Sequence, residues 1–228
     1  MSKVTEVVPQ KNNPKRFNVF LDGEFSFGAD EDLIVEYRLV EGKIIDTPLL
    51  EKLLFEAEVG KLMEKMYGLF NIRQRSEQEI RRYLKNLSFK RKTKEQDEIS
   101  DSAINLVIVK LKQKGFLNDL EFAKAWIEAR RRSKQKSDRL IKFELQQKGV
   151  GREIIDQVFS EQLTGYSQEG LAEQALQKRV ARWEKLPKID LNEKSLRDLK
   201  KKAYQYLAGK GFDYETISSV IEKILEKE

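Results

Sequence analysis

The sequence contains no cysteine and no histidine in 228 residues. That removes disulfides, thiol nucleophiles, Ser-His-Asp triads and zinc sites built on Cys or His. No apolar window approaches the ~18 residues a membrane span needs. The N-terminus "MSKVTEVVPQKNNPKRF" has no apolar core of the secretory kind, so the sequence reads as soluble and cytoplasmic. Walker loops and G-x-G-x-x-G turns are missing, and no spaced set of carboxylates stands apart from the many surface Asp and Glu. A carboxylate-only magnesium nuclease stays formally open, but accidental acidic pairs are expected on so charged a chain. The reading is therefore no enzyme, no metal and no cofactor.

What is present is charge. Asp, Glu, Lys and Arg make up 36% of the residues, against 39% apolar, and an ordinary globular protein carries only ~25% charged residues. Such a chain exposes a large surface relative to its core, which favours a repeat-built shape. The net charge of +6 and a pI near 9.2 suit an acidic partner, either nucleic acid or an acidic protein face.

Residues 1–15 are polar, include Pro9 and Pro14, and read as a loose tail. In "RFNVFLDGEFSFG", Phe- and Val-rich stretches flank Asp22-Gly23, which predicts a β-hairpin on a type I′ turn. A short helix is expected over 30–38, and "GKIID" supplies a third strand. Acids dominate this region: Asp30, Glu31, Asp32, Glu36, Glu41 and Asp46 outnumber Arg38 and Lys43. From Thr47, read as an N-cap with Pro48 at N1, every signal is helical. The first helix runs to about Leu69. Ser76-Glu77-Gln78-Glu79 has the form of a capping box, and Ile80, Tyr83, Leu84 and Leu87 follow at helical spacing. Ile104, Val107, Ile108 and Leu111 mark another helix, ended by Gly115. Further helices are expected at about 119–131, 138–148, 151–163, 168–184, 193–209 and 214–227.

Three stretches align without a gap: "IRRYLKNLSF" (80–89), "IKFELQQKGV" (141–150) and "AYQYLAGKGF" (203–212). Leu84, Leu145 and Leu207 share one column, Ser88, Gly149 and Gly211 the next, and Phe89, Val150 and Phe212 the last. Glycine followed by an apolar residue is a Schellman-type helix stop. The period of about 60 residues fits three helices per repeat. The division that follows is a tail and hairpin unit over 1–46 and repeats over 47–116, 117–165 and 166–228.

Cations gather in three places, each in or beside the middle helix of a repeat. The first holds Arg73, Arg75, Arg81, Arg82, Lys85, Lys90, Arg91, Lys92 and Lys94. The second spans Arg130 to Lys142 and includes Arg131, Arg132, Lys134, Lys136 and Arg139. The third runs from Lys178 to Lys202. Any one cluster is simply the wet side of a helix. Tripled placement instead suggests a discontinuous basic track for a helical polyanion or an acidic filament groove. Three consecutive guanidinium groups at 130–132 repel one another, which a bound ligand would relieve. Phe122 and Ala123 read as core. Trp126, one turn before Arg130, has a place at the core edge as its stacking partner. No aromatic ladder for single-stranded bases is evident.

"RQRSEQEIRRYL", "GFLNDLEFAKAWIEARRR" and "IKFELQQKGV" together resemble the RecX family of bacterial recombination regulators, in order and spacing, over roughly residues 60–165. The resemblance implies a mainly α fold, with three tandem three-helix repeats in an elongated, curved arrangement behind the small β-hairpin unit. It implies no catalysis and a role modulating, most simply inhibiting, the RecA recombinase by lying in the groove of its filament on DNA; a monomer is expected. Single- or double-stranded DNA would itself be bound weakly and non-specifically. The family's recurrent positions fall on Arg75, Ser76 and Glu79, then Gly115, Phe122, Ala123, Trp126 and Arg130, then Leu145, Gly149 and Val150. Most are cap or core residues, so the motif identifies the fold better than the contacts. Expected contact residues are Arg73, Arg75, Arg81, Arg82, Lys85, Trp126, Arg130, Arg131, Arg132, Lys134, Lys136 and Arg139. The rival expectation is a helical repeat protein that binds nucleic acid directly, with RecA irrelevant.

Overall fold

The β-rich start of the chain is built by register. In a computed structural model, which describes residues 1–161, 167–183 and 193–225, β1 (Ser2–Gln10), β2 (Asn13–Leu21), β3 (Glu24–Asp30) and β4 (Ile44–Ile45) form one sheet in the order β3-β2-β1-β4. All pairs are antiparallel. Asp22 and Gly23 turn β2 into β3 with φ of 52° and 92°, the two positive values a type I′ turn demands. Phe20 and Phe25 meet edge to face across it, 5.9 Å between centroids.

The expected loose tail is overturned, because residues 2–10 are a strand. Val4 is fully buried, and Pro9 pairs with Phe17 beside a register shift. β4 covers only Ser2 and Lys3, so Pro9 lies where β1 has no second neighbour and a missing N–H is tolerated. Polar composition concealed a strand with one buried face. The hairpin is thus part of a four-stranded sheet, with "GKIID" as its last strand.

α1 (Glu31–Glu36) is capped by Asp30, which accepts from Leu33 N at 2.9 Å. α2 (Thr47–Phe70) is capped by Asp46, which accepts from Leu49 N at 2.9 Å. Thr47 is therefore the first helical residue and not the cap, because the carboxylate one place earlier already satisfies the orphan donor. Val19, Phe27, Leu33, Ile45 and Leu53 close the core between sheet and helices.

Three groups of three helices follow, each around its own core. α2, α3 (Glu77–Lys92) and α4 (Asp101–Gln113) enclose Leu62, Met66, Ile80, Leu84, Ile108 and Leu111. α5 (Asp119–Lys134), α6 (Asp138–Gln147) and α7 (Arg152–Glu161) enclose Phe122, Ala123, Ile127, Ile141, Leu145 and Phe159. α8 (Gln168–Trp183), α9 (Glu193–Ala208) and α10 (Tyr214–Leu225) enclose Leu176, Ala203, Leu207, Phe212 and Ile217. The fold is mainly α with a small N-terminal sheet. The expected helix ends at 163, 184 and 227 lie outside the described residues.

The aligned column of Leu84, Leu145 and Leu207 is wholly buried in all three groups. The helix stops agree only twice. Gly149 and Gly211 have φ of 79° and 89°. Val150 N donates to Leu145 O at 3.1 Å and Phe212 N to Leu207 O at 3.4 Å, the Schellman pattern. At Ser88 there is no stop, and α3 continues to Lys92. The Ser88 hydroxyl is buried and accepts from Ile99 N at 2.9 Å, while Phe89 is 67% exposed where Val150 and Phe212 are core. Serine lacks glycine's freedom at positive φ, so the helix runs on.

By compactness the chain divides into two units, Met1–Arg75 with Glu79–Leu117, and Ser76–Gln78 with Asn118–Glu228. Among the described residues no helix is long and apolar enough to cross a membrane.

Candidate interaction surface

In the first unit the expected contact residues have mixed surroundings. Arg73 forms a bidentate pair with Glu79, at 2.8 and 2.9 Å. Arg81 donates to Asn105 Oδ1 at 2.8 Å. Arg75 is half-buried, and its Nε is enclosed without a hydrogen-bond partner. Arg82 and Lys85 are exposed on α3. Ser76–Gln78 belong to the second unit and bond within it: the Ser76 hydroxyl donates to Lys148 O at 2.5 Å and Glu77 N donates to Asp119 Oδ1 at 2.9 Å.

In the second unit the three consecutive arginines part company. α5 carries them around its axis, and α6 supplies a carboxylate for each of the first two. Arg130 Nε donates to Glu144 Oε2 at 2.7 Å and its guanidinium lies 4.0 Å from the Trp126 ring centroid. The spacing of 126 and 130 thus produces the stack it suggested. Trp126 Nε1 donates to the same carboxylate oxygen at 2.9 Å, Lys136 pairs with Oε1, and Lys148 Nζ lies 4.4 Å from the ring centroid. Partial burial alone would raise the Glu144 carboxyl, but hydrogen bonds from Lys136, Arg130 and Trp126 hold it below its ordinary value. Arg131 is 4% exposed and bonds Asp138 Oδ1 at 2.9 Å through Nη2, with its guanidinium 5.6 Å from the Phe159 centroid.

The repulsion argument for a ligand at 130–132 therefore fails. Glu144 and Asp138 neutralise two of the three cations from within the fold. Arg132, Lys134 and Arg139 are exposed on the outside, and Lys136 is half-buried in its pair with Glu144.

Beside these cations runs a groove of about 780 Å³ between α6 and the end of α9, lined by Leu140, Phe143, Ala208 and Phe212 and edged by Arg139 and Lys142. Glu144, Phe143 and Lys210 are the residues that sequence reasoning missed here. For Phe143 a signal existed: it falls off the Ile141–Leu145 stripe, and it is 55% exposed. For Glu144 none did, because its partners come from another helix. Among the described residues no cluster of acidic side chains suits a metal ion.

A frame of three-helix groups, with structural ion pairs inside and cations outside, is that of a mainly α helical repeat protein. Comparison with known proteins specifies it. The chain matches the regulatory protein RecX N-terminal domain over residues 2–46, the second RecX three-helix domain over 118–158 and the third over 168–221. It is 33% identical to regulatory protein RecX of Listeria monocytogenes serotype 4b (strain CLIP80459) over 202 residues, 89% of this chain and 71% of that one. It is 31% identical to regulatory protein RecX of Bacillus subtilis (strain 168) over 224 residues, 98% of this chain and 78% of that one. A crystal structure of regulatory protein RecX matches in fold with a TM-score of 0.65, 23% identity and complete coverage of both chains. The crystal structure of RecX from Lactobacillus salivarius does so with a TM-score of 0.52 and 20% identity, over 73% of this chain and 96% of that one. The chain belongs to the RecX family, which is one of regulatory proteins and not of enzymes.

Proposed function

We propose that this protein modulates the RecA recombinase, most simply as an inhibitor, by occupying the groove of the RecA–DNA filament and so affecting recombination and repair. The observation that carries this reading is the family match, which extends over 98% of the chain in the Bacillus relative. The exposed cations Arg132, Lys134 and Arg139 in the second unit, and Arg82 and Lys85 in the first, are the proposed contacts to acidic protein surface and DNA phosphates. Trp126, Arg130 and Arg131 are assigned a supporting role, because their polar groups are already bonded within the fold. Arg73 and Arg81, bonded to Glu79 and Asn105, and Arg75 are proposed contacts of lesser weight. The repeats would occupy 47–116, 117–165 and 166–228 behind the N-terminal unit, in a cytoplasmic monomer.

The test is DNA-dependent ATP hydrolysis by RecA with increasing amounts of this protein. A dose-dependent change, together with only weak association with naked DNA, is expected. The net charge of +6 favours one rival, direct nucleic-acid binding. That reading predicts saturable, steeply salt-sensitive binding to naked DNA and no effect on RecA.

A further inference from the structure

The groove between α6 and the α9–α10 turn has two properties that the filament reading does not use. Its walls are apolar, with Leu140 and Phe143 on one side and Ala208 and Phe212 on the other. Phe143 presents a ring that is 55% exposed. A single exposed ring is ordinary on a protein surface, but Phe143 stands beside Leu140 on the wall of a groove, where an apolar side chain can be covered.

The second property is charge. Asp138 is the acid lining the groove, and Arg131 already neutralises it at 2.9 Å. Arg139 stands exposed on the rim, and Lys142, also in the lining, pairs with Asp156 at 3.5 Å. At Gly211 the turn presses onto α6: an added β-carbon would lie 2.5 Å from Ser137 Oγ and 2.7 Å from Leu140 Cβ. Ser137 N also donates to Lys210 O at 3.1 Å. That contact fixes Lys210 outside the groove's lining, with its ammonium donating to Lys134 O and 5.1 Å from the Tyr206 centroid. Burial, and then the like charges of Lys136, Lys134 and Lys178, lower its proton affinity. The trough is therefore edged by the cations Arg139 and Lys142, with the acid in its lining already paired.

We infer that this groove docks a segment of a partner protein in which a bulky apolar residue is flanked by Asp or Glu. The apolar side chain packs on Phe143 and Leu140, and the carboxylates meet Arg139 and Lys142. A nucleic-acid backbone would use the cations but leave Leu140 and Phe143 uncovered, so charge and apolar walls together favour a protein segment over phosphate. This inference rests on the proposed regulatory reading and names the kind of surface the second unit recognises.

The experiment uses the full chain with two fluorescent probes, a peptide of leucines spaced by glutamate pairs and an oligothymidylate, read by anisotropy. The peptide is expected to bind and to lose about tenfold in affinity in Phe143→Ser and in Arg139→Ser, the scale of a lost interface anchor. The oligothymidylate should be unaffected by Phe143→Ser. Circular dichroism confirms folding, and Phe143→Leu, which keeps an apolar side chain, should retain most binding. The inference is overturned if the peptide does not bind, if Phe143→Ser leaves its affinity unchanged, or if the oligothymidylate loses as much as the peptide. Self-association abolished by Phe143→Ser would also overturn it, by assigning the groove to a second copy. RecA ATP hydrolysis, measured in parallel, separates the two claims. Unchanged action on RecA by Phe143→Ser sinks the groove alone, whereas peptide binding without any action on RecA sinks the filament reading alone.

Discussion

The inner and outer cations of residues 130–139 are neighbours in sequence but opposites in the fold. Arg130 and Arg131 end on carboxylates of α6, one stacked on Trp126 and the other 4% exposed. Arg132, Lys134 and Arg139 end in solvent. A run of like charge is therefore not a unit of function. A helix rotates successive residues by about 100°, so each cation meets a different environment and only its partner decides its role.

The largest effect expected from that contrast is on stability. Arg131→Ala removes one partner of a pair whose arginine is buried and leaves Asp138 uncompensated. A loss of about 2 to 3 kcal/mol in denaturant unfolding is expected, discounted because Asp138 is 24% exposed. Glu144→Gln leaves Arg130 and Lys136 without their carboxylate and weakens the acceptor for Trp126. It should cost about 1 to 2 kcal/mol and shift the Trp126 emission.

Acid sharpens the same comparison. The Glu144 carboxyl is held below its ordinary value in the folded state. Its stabilising contribution is fully present above the unfolded-state value and is lost as pH falls through the folded one. Melting curves between about pH 6 and pH 3 should thus fall more steeply for the wild type than for Glu144→Gln. Arg132→Ala, on the outer face, should change stability by less than about 0.5 kcal/mol. An equal loss for Arg132→Ala and Arg131→Ala would break the distinction.

How far the sequence disclosed this depends on range. The Asp22-Gly23 turn and the Trp126–Arg130 stack were legible because each depends on residues within a turn or two of one another, and the buried column of Leu84, Leu145 and Leu207 because one local pattern recurs three times. The strand at Ser2–Gln10 was not, because its partners are β2 and, 43 residues after Ser2, Ile45. Ser88 looked like a degenerate helix stop, and its real role, a bond to Ile99, appears only after the chain has folded back. Glu144 was invisible for the same reason. Spacing revealed which cations were close in the chain, and only packing revealed which of them were already satisfied.

The most direct test of the account is RecA ATP hydrolysis in the presence of a variant carrying Arg132→Glu, Lys134→Glu and Arg139→Glu. The account predicts a protein that melts within a few degrees of the wild type and has lost most of its effect on RecA. A folded variant that acts on RecA with undiminished potency would contradict it.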